Sequence, residues 1–209
     1  MTDDQALELV VTNPELIYVV DNVLSPDVLH QIQALDWNSR FWINGWNVGT
    51  HFDKVIDPGS DQFPFAYDCF NQAVSFLKSL SDDVELVWHI GSYWTIQDPG
   101  CYYDVIHRDN FQMIGAWTVL FHFYGDSGST EFYTDFKSTK PFKTVDFVPG
   151  RMVVFPCMYA HRAGQPAEGT TRVCHNHRIQ IRSKLNDKIL ALTPELKDVY
   201  NLNSIPFEQ

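Results

Sequence analysis

The chain has 209 residues, of which 44% are hydrophobic and 20% charged, an ordinary globular composition that excludes a disordered segment. That length gives one sizeable domain a real core, whereas two full domains would be cramped. A formal net charge of −11 repels phosphate backbones and disfavours nonspecific nucleic-acid binding, although net charge does not speak to local basic grooves. Cys69, Cys101, Cys157 and Cys174 are scattered without a CxxC pair, which excludes zinc-ribbon spacing, and a disulfide framework is not expected at this length. No apolar run approaches the roughly 18 residues of a membrane helix, and Met1-Thr2-Asp3-Asp4 lacks the basic start of a signal peptide. These features predict a soluble, cytoplasmic protein of a reducing compartment.

In chain order, residues 16–24 read as a strand. Ser25-Pro26-Asp27 then supplies an N-cap, a proline at the first helical position and an acid in the first turn. Val28, Leu29, Ile32 and Leu35 follow at helical spacing, which predicts a helix over 26–35. The stretch 37–60, with Trp37, Trp42, Trp46, His51 and Pro58, reads as loop with short strand fragments. A second helix fits 65–80, with Phe70, Val74, Leu77 and Leu80 on one stripe.

From residue 84 the period becomes strand-like. Segments near 84–97, 101–108, 115–124, 130–135, 143–148, 151–156 and 171–182 are rich in β-branched and aromatic residues. Asp98-Pro99-Gly100, Gly125-Asp126-Ser127-Gly128, Pro149-Gly150 and Gly164-Gln165-Pro166 separate them as turns. Many short strands between regular turns predict a sandwich or barrel. Residues 186–209 read as a short helix and a tail. With no repeat or linker, residues 1–209 are expected to form one domain: support 1–83, β core 84–183, tail 184–209.

Chemistry concentrates at His107-Arg108-Asp109. Residues two apart on a strand share a face, so His107 and Asp109 point together, with Tyr103 and Val105 on the same inward row. His161, 52 residues beyond Asp109 and just past the apolar run 152–156, completes two imidazoles and a carboxylate. That donor set forms the facial triad that holds catalytic Fe(II) with open positions. Arg172 follows 11 residues later, placed to anchor a dianionic co-substrate. On 171–182, Arg172, Cys174, Asn176 and Arg178 share one face, while His175 and His177 take the other and are not expected to bind metal. Thr118, Leu120 and His122 form a similar row. Each of these residues also has an ordinary reading, as core or surface; it is their joint occurrence that points to a site.

These segments resemble the Fe(II)/2-oxoglutarate-dependent oxygenases, in their prolyl-4-hydroxylase-like branch. The likeness runs from about Ile17 to Ile181 through IYVVDNVLSPDVLHQIQAL, HRD, TVLFHFYGDSGSTEFY, VDFVPGRMVVFPCMYAH and GTTRVCHNHRIQI. It implies a mainly β fold with flanking α-helices, a jelly-roll-like double-stranded β-helix. It also implies His107, Asp109 and His161 as iron ligands and catalytic centre, with 2-oxoglutarate and O2 as co-substrates. Arg172 would pair with the distal carboxylate of 2-oxoglutarate, where the branch often has lysine. Thr118, His122, Tyr103 and Arg178 are further co-substrate candidates, and His122 stands where the branch commonly has tyrosine. The carboxylate of Asp109 points to hydroxylation, since the superfamily's halogenases have a small residue there.

The likeness favours a peptide or protein substrate such as a prolyl side chain. A free small molecule or a nucleobase remains the alternative, as does a metal-binding barrel without turnover. Arginines six apart on one strand also resemble the nucleobase-demethylase branch, but Cys174 stands where that branch has asparagine, and the acidic charge argues against nucleic acid. Oligomeric state is not legible.

Overall fold

A computed structural model of the chain describes residues 13–34, 43–44, 52–55, 63–97, 105–109 and 114–192. It opens on one 3-10 turn, Pro14–Leu16, and strand β1, Tyr18–Val20, shorter than the strand expected over 16–24. Helix α1, Pro26–Gln33, starts where the capping chemistry places it, with Ser25 Oγ accepting the Val28 amide at 3.3 Å. Strands β2, Ile43–Asn44, and β3, Phe52–Val55, are the fragments expected within 37–60; Trp37, Trp42, Trp46 and His51 lie outside the described residues. Helix α2 spans Phe63–Leu80 and β4 spans Glu85–Gln97.

The remaining strands are β5, Ala116–Tyr124; β6, Ser129–Tyr133; β7, Lys143–Asp146; and β8, Met152–Pro156. They are followed by β9, Ala160–Gly164, and β10, Arg172–Arg182, then helix α3, Leu185–Leu192. No helix among the described residues is long and apolar enough to cross a membrane.

All pairings are antiparallel. The larger sheet runs β1-β8-β5-β10-β4-β3-β2 and the smaller β7-β6-β9. Phe132 of the small sheet meets Phe155 of the large one edge-on at 4.9 Å, so the two inner faces close on each other. The outer face of the large sheet carries Trp117, Val119, Phe121 and Val154, all fully buried. Helix α2 lies against that face, with Phe70 4.7 Å from the His89 ring and Phe76 5.9 Å from Tyr18. Its most buried line is Ala66, Cys69, Ala73 and Leu77, with Phe70, Val74 and Leu80 half-buried beside it. This is a double-stranded β-helix with flanking helices, as the strand pattern and the family likeness implied.

Two expectations need correction. The segment around His107 is no regular strand: within 105–109 it makes a single bridge, His107 to His161. Val105 is 48% exposed, so it does not continue an inward row. Conversely, Ala160–Gly164 forms β9, although only an apolar run ending at Pro156 was read as strand there. The segment AHRAG has little β-branched content and owes its conformation to pairing with β6.

Candidate metal centre

His107 and His161 are brought opposite each other by a reciprocal backbone pair, each amide donating to the other's carbonyl at 2.9 Å. Their rings lie 4.4 Å apart, centroid to centroid. His161 Nδ1 is 2.9 Å from the Tyr159 carbonyl and His107 Nδ1 is 3.1 Å from the Val105 carbonyl. A carbonyl can only accept, so each Nδ1 carries a proton, and in that neutral tautomer the lone pair sits on Nε2.

Those lone pairs converge on Asp109. His107 Nε2 lies 3.9 Å from Oδ1 and His161 Nε2 lies 3.7 Å from Oδ2. One ligand atom from each of the three residues falls within 4.8 Å of the others, the single such group among the described residues. Two imidazoles oriented by backbone carbonyls plus one carboxylate match the donor set of a facial Fe(II) site. Burial pushes the pKa of Asp109 up, but His161, His107, the Thr118 hydrogen bond and Arg178 together hold it below the usual carboxylate range.

The carboxylate is gripped from several strands. Thr118 Oγ1, on β5, donates to Oδ2 at 2.5 Å, and Cys157 Sγ lies 3.1 Å from the Thr118 hydroxyl oxygen. Tyr93, on β4, reaches Oδ1 at a long 3.5 Å, and Asn176 of β10 donates to the Tyr93 oxygen at 3.0 Å. Arg178 donates to the Asp109 main-chain carbonyl at 3.3 Å and lies over the Tyr93 ring at 5.0 Å. The sequence reading missed Tyr93 and Cys157. The place of Tyr93 follows only from the strand register, in which it pairs with Asn176 and so lies on the same face of the sheet as the inward row of β10.

Arg172 lies six residues, about 20 Å of strand, from Arg178. It is 5% exposed, and Nη1 donates to the carbonyls of Ser129 at 2.6 Å and Gly164 at 3.4 Å. Its Nε is buried without an acceptor among the described residues. The nearby carboxylate, Glu131, bonds to Arg162 at 2.8 Å and to the Tyr133 hydroxyl, so it acts on Arg172 only at longer range, and among the described residues no carboxylate forms an ion pair with Arg172. Gly128 (φ +94°) lets the chain pass close by, since a Cβ there would sit 3.3 Å from Arg172 Nη1.

His122 is fully buried and stacks on Phe147 at 4.3 Å, and the Arg172 guanidinium lies 5.5 Å from the centre of the same ring. Burial, Arg172 and Arg151 push its pKa down to about 3, so the ring is neutral at pH 7. The Val148 amide donates to its Nδ1 at 3.3 Å, which places the ring proton on Nε2. That N–H has no acceptor among the described residues. Tyr103 lies outside the described residues. His175 and His177 pack on the outer face with His89, Trp94 and Phe70, away from Asp109, as strand parity required.

No protein-family profile matches the chain, and no curated protein does. Solved structures do. A prolyl-4-hydroxylase from Pseudomonas putida is 16% identical, with TM-score 0.57, covering 87% of this chain and 97% of that one. A viral collagen prolyl hydroxylase from Paramecium Bursaria Chlorella virus-1, in complex with 2-oxoglutarate, is 15% identical with TM-score 0.54, covering 79% and 96%. The non-heme α-ketoglutarate-dependent epimerase SnoN of nogalamycin biosynthesis is 16% identical with TM-score 0.60, covering 85% and 84%. The chain thus has the fold of 2-oxoglutarate-dependent oxygenases.

Proposed function

We propose that this protein is an Fe(II)- and 2-oxoglutarate-dependent dioxygenase that hydroxylates an unactivated C–H bond, with a protein or peptide side chain such as proline as substrate. The observation that carries the reading is the convergence of two Nε2 lone pairs and one carboxylate, with both Nδ1–H groups fixed by backbone carbonyls. His107, Asp109 and His161 hold the metal. When bound, Fe(II) with 2-oxoglutarate and O2 couples decarboxylation of the co-substrate to insertion of one oxygen atom into the substrate.

The protein binds and orients. Arg172, a buried cation without a carboxylate partner among the described residues, takes the distal carboxylate of 2-oxoglutarate. His122 offers a neutral Nε2–H donor beside it, in place of the branch's tyrosine. Tyr103 is retained as a co-substrate contact, and Arg178 as the next anion partner, on the metal side. Phe155 and Phe132, packed around His161, keep water from the inner side of the site. The reading takes residues 1–209 as one oxygenase domain.

The peptide substrate rests on the likeness to two prolyl hydroxylases. A small-molecule substrate is the second reading, favoured by the comparable likeness to an epimerase of antibiotic biosynthesis. Incubation with Fe(II), 2-oxoglutarate and O2 in the presence of proline-containing peptides, or of a small-molecule panel, separates them. The expected result is substrate-dependent succinate release with one oxygen atom added to a peptide by mass spectrometry. Oxygen added only to a small molecule contradicts the peptide assignment, and no succinate with any substrate contradicts the enzyme reading.

A further inference from the structure

We propose that Thr118 is a positioning residue for the metal site: its hydroxyl, not strand geometry, fixes the Asp109 carboxylate in its ligating orientation. The inference rests on the reading of His107, Asp109 and His161 as the ligand set. His107 is fixed by its bridge to His161, but Asp109 sits two residues further on, in a bend with no ladder partner among the described residues. Its side chain is 3% exposed, so water cannot orient it. Something on a neighbouring element has to.

Thr118 is placed to do so. It lies on β5, between β8 and β10 and opposite Phe155 and Arg178, and is fully buried. Its branched side chain has restricted χ1 freedom, which makes the hydroxyl a stiff donor. The 2.5 Å separation from Asp109 Oδ2 falls in the range of a hydroxyl bonded to an ionised carboxylate.

Proton counting fixes the direction of this chain. Thr118 has one hydroxyl proton and the carboxylate can only accept, so that proton goes to Asp109. The contact at 3.1 Å must then run from Cys157 S–H to the Thr118 oxygen. Burial pushes the Cys157 thiol up, which keeps the proton there. The sequence Cys157 to Thr118 to Asp109 is therefore unidirectional, and Tyr93, backed by Asn176, steadies the other carboxylate oxygen. With its proton committed to Asp109, Thr118 has no donor left for 2-oxoglutarate, so a positioning role replaces the co-substrate contact expected from its row.

The test is anaerobic Fe(II) titration of the full chain and of Thr118→Val, Thr118→Ala and Thr118→Ser, with folding followed by thermal unfolding. Loss of the hydroxyl should weaken Fe(II) binding by roughly 10- to 100-fold, the usual effect of removing an outer partner of a metal ligand. Thr118→Ser should stay close to wild type. Alanine substitutes where valine does not fold. Unchanged Fe(II) affinity in the folded hydroxyl-free variant, with weaker 2-oxoglutarate binding instead, would overturn the proposal and leave the metal site standing. Weakening in Thr118→Ser equal to that in Thr118→Val would overturn it too. A wild-type chain that binds no Fe(II) would remove the proposal together with the reading it rests on.

Discussion

At the scale of single residues, the site is defined by where protons sit. Carbonyls fix them on Nδ1 of His107 and His161, while an amide fixes it on Nε2 of His122. The first two residues thereby present lone pairs and the third presents a donor, a division no spacing rule reveals. Replacing Arg172 with Ala removes the buried cation and should weaken 2-oxoglutarate binding by about 3 kcal/mol, on the order of a hundred-fold. His122→Leu should cost less, about 1–1.5 kcal/mol or roughly ten-fold, because it removes one neutral donor. Isothermal titration with 2-oxoglutarate at saturating metal checks both, and Fe(II) affinity should be unchanged in each. The proposed ligand trio and the proposed anchor Arg172 were picked out in the sequence by residue type and chain order, and the structure brings His107, Asp109 and His161 together. Tyr93 and Cys157 were not picked out, because their roles come from β4 and from the turn after β8 folding against Asp109.

At the scale of elements, β10 shows how much alternation determines. Its inward row meets Asp109 and the Arg172 end of the pocket; its outward row buries His175 and His177 beneath α2. Parity was reliable there because β10 is paired along both edges. It failed around Val105, where one bridge replaces a ladder, and β9 escaped notice because a short, weakly β-forming segment is held by its partner.

The outward histidines carry a consequence for stability. Burial, then His89, lowers the His177 pKa to about 3, and burial, then His177 and His89, lowers that of His175 well below 6.5. Both are therefore neutral when folded, whereas the unfolded chain protonates them below about pH 6.5. Stability is thus complete above that pH and falls as pH drops from about 6.5 toward the folded values. At pH 5.5 the penalty is on the order of 1 kcal/mol for each histidine, about 2–3 kcal/mol for the pair. On a domain of this size that lowers the Tm by on the order of 5–10 °C relative to pH 7.5. Thermal unfolding at the two pH values checks it, and His177→Phe should remove about half of the drop.

At the scale of the whole molecule, the two sheets bring together residues that are far apart in sequence. The HxD pair, β9 and β10 contribute to one pocket only because the strands wind alternately between the sheets. This layout was legible from the succession of short strands and turns together with the family likeness. Substrate recognition was not, since the aromatic stretch 37–60 reads equally as the flank of a pocket or as a packed minor core. If the proposed metal and co-substrate bind only the assembled pocket, each present at 100 times its Kd should add about 2.7 kcal/mol.

The most direct measurement is an anaerobic titration of Fe(II) and then 2-oxoglutarate into the wild-type chain and His161→Ala, followed by visible absorption. The account predicts one equivalent of each ligand and a metal-to-co-substrate charge-transfer band in the wild type, with the band lost in His161→Ala. A wild-type protein that develops no band, or a variant that develops the same one, would contradict it.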